Sequence, residues 1–171
     1  IGAQIVILAA VIISKTSVLA SGTEVLLRIE PVDPRDLLRG DYATFQYSIS
    51  NIDSNLFTEG PPREGEVVYV ALRRPDEVWD AVRAVKKMPE TGEVFLRGRV
   101  VHLPPWQAGE EIHIIYGIEQ YFIPEGTGGT LSWRDEAQSA LARVAIDDRG
   151  SAVIKEILIN GEAWPRVEGG A

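Results

Sequence analysis

The chain has 171 residues, 45% of them hydrophobic, no cysteine, and a formal net charge of −8. The acidic balance, with no basic cluster, argues against nucleic-acid binding, and the apolar content argues against disorder. The missing cysteines exclude a disulfide framework, cysteine-based zinc sites and a thiol nucleophile. The charge is also unevenly spread. Residues 1–20 hold one ionisable side chain, Lys15, so residues 21–171 carry 16 bases against 25 acids, a net of −9.

In the first 14 residues only Gln4 and Ser14 are clearly polar. As a helix they would rise roughly 21 Å, short of a hydrocarbon core of roughly 30 Å. Extension through Thr16 to Ala20 completes a span, with Lys15 snorkelling to the interface. Residues 1–20 therefore read as a transmembrane anchor, incomplete at its start because no initiator Met is present. A secretory signal core is the rival, with small residues at Ala20-Ser21-Gly22, but Lys15 interrupts the approach to them. A buried amphipathic helix would need a polar face, and none appears. An acidic body after a signal-anchor helix points to a domain outside the cytoplasm, over residues 21–164. Residues 165–171 read as a flexible tail.

The body reads as eight strands: Glu24–Glu30, Tyr42–Ile49, Val67–Leu72, Val78–Val85, Glu93–Leu103, Glu111–Ile118, Ala142–Ile146 and Ala152–Ile159. Turn signals separate them at Gly60-Pro61-Pro62, Pro75-Asp76, Pro89-Glu90-Thr91-Gly92 and Pro104-Pro105. The turn Asp147-Asp148-Arg149-Gly150 pairs the last two strands. One helix is predicted after Ser132, with Asp135 three residues on. The fold class is therefore mainly β, a small barrel or sandwich with one short helix behind the anchor.

The most unusual stretch runs from Pro31 to Tyr47. Pro31 and Pro34 stiffen it, Gly40 permits a turn, and Asp41 can bond nearby backbone donors. Tyr42 and Tyr47 are expected on opposite faces of one strand, because their spacing is odd.

Gly40-Asp41-Tyr42-Ala43-Thr44-Phe45-Gln46-Tyr47 resembles the naming motif of the GDYXXLXY protein family, with Phe45 at the usual Leu position. Leu96-Arg97-Gly98-Arg99-Val100 and Tyr116-Gly117-Ile118-Glu119-Gln120-Tyr121-Phe122-Ile123-Pro124-Glu125-Gly126 are similar to further family segments. The resemblance covers most of the chain. It implies a small membrane-anchored protein, often encoded beside multi-pass membrane proteins, and no established activity. A weaker similarity is to type I signal peptidases, at Leu37-Leu38-Arg39-Gly40-Asp41 and at Gly98-Arg99-Val100-Val101-His102-Leu103-Pro104. Their catalytic serine would fall on or near Val32 and their lysine on Gly98. Both partners of a Ser–Lys pair are thus replaced.

Several groups invite a chemical reading. Asp33, Asp36 and Asp41 are interleaved with Arg35 and Arg39, which reads as paired charges shaping a loop, with an interaction surface or carboxylate chemistry as alternatives. Arg97 and Arg99, and the segment carrying Tyr116, Glu119, Tyr121 and Glu125, are candidate interaction or structural residues. Gly126-Thr127-Gly128-Gly129 lacks the Lys of a phosphate loop and reads as a connection. His102 and His113 fall on neighbouring predicted strands, and the reading favours a structural role over a bridged metal. No cofactor and no catalytic constellation is expected. The function expected is a non-catalytic accessory domain. It would be anchored in the bilayer through residues 1–20 and associate with a multi-pass membrane protein or with itself. A pilin-like filament subunit and a carboxylate-dependent hydrolase are the alternatives. Against the first, Ile5 stands where bacterial pilins typically carry Glu.

Overall fold

A computed structural model of the protein describes Gln4, Thr16 and residues 18–30, 38–39, 42–90, 92–102, 109–122 and 140–164, with the backbone alone at Leu38, Arg39, Tyr42 and Ala43. Gln4, Thr16 and residues 18–21 are helical. Among the described residues no helix is long and apolar enough to cross a membrane. Most of the segment read as an anchor lies outside them, as do the helix expected after Ser132, the Gly126–Gly129 connection, Trp106, Trp133 and the tail from residue 165.

The body is mainly β. Its strands are β1 (Thr23–Glu30), β2 (Leu38–Arg39), β3 (Tyr42–Thr44), β4 (Gln46–Tyr47), β5 (Asn51–Asp53), β6 (Val67–Arg73), β7 (Asp80–Val85), β8 (Phe95–His102), β9 (Glu111–Ile115), β10 (Gln120–Phe122), β11 (Ala140–Ile146), β12 (Ala152–Ile159) and β13 (Glu162–Trp164). One 3₁₀ turn, Ser54–Leu56, follows β5. Its cap is Asp53, whose carboxylate accepts the Asn55 amide at 2.7 Å.

Among the described residues three sheets result, in the orders β13-β12-β11-β1-β4, β10-β3-β2 and β5-β9-β8-β6-β7. The third nearly closes on itself. Phe57, just beyond β5 and its 3₁₀ turn, forms a parallel bridge with Ala84 of β7 at the far edge. Closure hides strand edges that would otherwise template association. The first sheet is tied to it by two backbone bonds, Trp79 N to Leu26 O at 2.8 Å and Arg97 N to Gly150 O at 2.9 Å. The second follows from topology. β9 leaves the edge of β8 near Arg99, and the β11–β12 turn takes the vacated amide at Arg97. Gly150 is needed there. Its φ is +78°, and a Cβ would stand 2.8 Å from both the Arg97 amide and the Phe95 ring.

Alternation places the core. In β1, Val25, Leu27 and Ile29 are buried while Glu24 and Arg28 are exposed, the period of two that puts every second side chain on one face. The same core takes Phe45, Tyr47, Val68, Val70, Leu96, Val100, Ile112, Ile114, Val144 and Ile157. Trp164 is buried in it, and Trp79 packs against its margin.

The single strand read over Tyr42–Ile49 is divided. β3 pairs with β10, β4 pairs with β1, and Phe45 between them belongs to neither. The Phe45 amide is drawn instead to Glu119 O at 2.7 Å. The burial pattern still alternates through the break, because Phe45, Tyr47 and Ile49 all turn inward. The stretch Glu111–Ile118 likewise ends as strand at Ile115, where a turn begins.

Candidate functional site

The three sequence segments singled out above meet in one place. The first and third pair directly, Gln120 opposite Thr44, Tyr121 opposite Ala43 and Phe122 opposite Tyr42. Below that ladder two tyrosines cross. The Tyr47 hydroxyl donates to Ile118 O at 2.5 Å, and the Tyr116 hydroxyl donates to Ile49 O at 2.6 Å. Each tyrosine thus reaches the carbonyl two residues beyond the other. Backbone bonds frame the crossing, Phe45 N to Glu119 O at 2.7 Å on one side and Ile114 N to Ser50 O at 2.8 Å on the other.

Both halves of this clasp are held by local bonds. Ser50 folds back on Tyr47, its amide donating to Tyr47 O at 2.8 Å while its Oγ accepts the Tyr47 amide at 3.0 Å. Glu119 accepts the Tyr116 amide at 2.5 Å and the Gly117 amide at 2.8 Å, closing a tight turn in which Gly117 has φ of +79°. Burial, and after it the Glu119 charge, pushes the hydroxyls of Tyr47 and Tyr116 well above the usual tyrosine range, so both stay protonated as donors.

The second segment supplies the floor. A Cβ on Gly98 would collide with Ile114 Cγ2 and stand 3.0 Å from Cδ1 and Cε1 of Tyr116. Glycine at this position is therefore what lets the Tyr116 ring lie against β8. It is also the position on which the signal-peptidase resemblance places a lysine, and the Tyr116 ring occupies the space above it. Arg97 and Arg99 flank Gly98 but point outward. Arg99 Nη1 donates to Gly65 O at 2.8 Å.

These three linked segments decide the family. The chain belongs to the GDYXXLXY protein family, whose model matches residues 4–157. No curated protein and no solved structure matches it. In this GDYXXLXY protein, then, the family's naming tyrosine at position 47 is a buried strut. Phe45, at the usual Leu position, is buried and faces Tyr121, with ring centroids 6.5 Å apart. Tyr121 itself is half-buried, and burial followed by the Glu156 charge raises its hydroxyl above the ordinary value.

Asp33, Arg35, Asp36, Gly40, Asp41 and Glu125 lie outside the described residues, and Arg39 and Tyr42 are placed by their backbone alone. Sequence reasoning named Tyr47, Tyr116 and Glu119, but not Ser50, Gly117 or the steric role of Gly98. A signal was present. Tyr47-Ser48-Ile49 and Tyr116-Gly117-Ile118 share a Tyr-x-Ile spacing, and the Ile carbonyls are the two acceptors.

Away from the clasp, a groove of about 530 Å³ lies between residues 18–23, Glu93–Phe95 and Ile146–Arg149. Two of its acids are already engaged. Glu93 pairs with Arg83, and Asp147 Oδ1 accepts the amides of Arg149 at 2.9 Å and Ser151 at 2.7 Å.

Proposed function

We propose that this chain is a non-catalytic accessory module, anchored by residues 1–20 in a membrane and presenting its β-body outside the cytoplasm to a multi-pass membrane partner. One observation carries the non-catalytic part. The hydroxyls of Tyr47 and Tyr116 and the carboxylate of Glu119 are spent on backbone atoms of the same chain. Catalytic groups need polar atoms free to meet a substrate. These groups instead hold two distant parts of the chain in register.

The membrane part rests on sequence. Residues 1–20 carry a single charge, and the rest of the chain carries a net of −9. An acidic surface gains nothing from anionic headgroups. Attachment through the apolar segment leaves that surface for a protein partner. Affinity purification of the full chain in several mild detergents tests the reading. A defined multi-pass protein recovered in constant ratio supports it, and a lone chain in every detergent contradicts it.

A further inference from the structure

His102 and His113 are the chain's two histidines. The β8–β9 ladder makes them register partners, after one extra residue in β8 beyond Val100. Both turn away from the core. Ile112 and Ile114 on either side of His113 are buried, while His113 is half-buried and His102 exposed. Directly opposed antiparallel residues hold their Cβ atoms roughly 4.5–5.5 Å apart. Imidazoles on such a pair can converge on one ion, whose bonds to nitrogen are about 2.0–2.1 Å for zinc.

One ring is already oriented. His113 Nδ1 lies 2.7 Å from Oδ1 of Asn51, its register partner on β5. A carbonyl oxygen only accepts, so Nδ1 is the donor and Nε2 is the nitrogen left to meet an ion. An outer hydrogen bond of this kind fixes the tautomer and aim of a metal-bound histidine. The neighbouring charges suit a cation. Glu111 is two residues before His113 and so on the same face, and it stands opposite Asp53 of β5. Both acids are exposed.

We infer that His102 and His113 form a surface site for a late first-row divalent metal ion such as Zn²⁺, with Asn51 as the positioning residue. Among the described residues no group of three or more His, Cys, Asp or Glu side chains is placed to hold a metal. The pair therefore supplies two protein ligands, water completes the shell, and the ion exchanges with solvent. Imidazole is a donor that such ions favour.

Calorimetric titration of the chelator-stripped full chain with ZnCl₂ tests the site. One ion should bind per chain. His102→Ala and His113→Ala should each abolish saturable binding. Asn51→Ala should weaken it about tenfold, the cost of losing an outer partner. All three side chains lie outside the core, and a thermal melt checks that each variant folds. Nitrogen-15 spectra of the wild-type histidines give a second readout. Zn²⁺ should shift both Nε2 signals while His113 Nδ1 stays protonated. Absence of binding to the wild type, or equal binding by the double histidine variant, overturns the site. Equal affinity in Asn51→Ala overturns the positioning role.

Discussion

The clasp between residues 45–50 and 114–119 and the charged face of β1, β11 and β12 use polar bonds of similar length in opposite surroundings. On the charged face, Lys155 Nζ meets Glu24 Oε1 at 2.5 Å, and Arg143 Nε meets Glu156 Oε1 at 2.6 Å. Lys155 can reach across because it is the extra residue of a bulge in β12, where Arg143 pairs with Glu156 and Val144 with Ile154. All four of these side chains are about a third to a half exposed. Water competes for every one of these bonds, and such pairs contribute roughly 0–1 kcal/mol. In the clasp the tyrosine rings are buried and no water replaces a lost hydroxyl. There a buried acceptor left without its donor costs about 1–3 kcal/mol. Bond length alone does not separate these regions; burial does.

Breaking that contrast is straightforward. Tyr116→Ala should have the largest effect, destabilising by about 3–5 kcal/mol in urea unfolding, since a buried aromatic is lost with its bond. Gly98→Ala should follow, at about 1–3 kcal/mol, through overpacking against Ile114 and Tyr116. Its sign is diagnostic, because alanine for glycine inside a strand ordinarily gains roughly 0.5–1 kcal/mol. Lys155→Met should change stability by less than about 1 kcal/mol. It also removes the main reason the Glu24 carboxyl titrates below its ordinary 4.5, which is the hydrogen bond and then the charge of Lys155. A carboxyl depressed in the folded state stabilises above its unfolded value and loses that contribution as pH falls through the folded one. Wild type and Lys155→Met should therefore converge in stability as pH falls through the lowered folded-state value of Glu24 and differ slightly at neutral pH, as acid titration of the unfolding midpoint would reveal.

The same contrast explains what could be read from the sequence. The β class, most long strands and the Asp147–Gly150 turn are carried by local alternation and turn chemistry, so they were legible. The strands β5, β10 and β13 have three residues each, too few for a period to register. β5 and β10 form because a distant strand is already in place, and β13 is the short return of a hairpin through Asn160-Gly161. Tyr42–Ile49 reads as continuous because its residue types alternate, and burial alternates from Thr44 to Ile49. Only the pull of Glu119 O on the Phe45 amide divides it, across a separation that no local pattern encodes. Tyr47, Tyr116 and Glu119 stood out by residue type and motif. Residue type does not tell a hydroxyl facing a partner from one facing a carbonyl of its own chain. Gly98 stands out in sequence as part of a family segment and as the position without a lysine, and its value lies in the ring that packs against it.

The most direct test of the clasp is a double-mutant cycle of Tyr47→Phe and Tyr116→Phe, read by urea unfolding of the full chain. Each substitution keeps the ring and removes one hydroxyl. We expect each to cost about 1–3 kcal/mol, with a coupling of at least about 0.5 kcal/mol because the two bonds close one frame. Losses within about 0.5 kcal/mol for both variants, the range of an ordinary surface change, would contradict a structural role for the paired tyrosines.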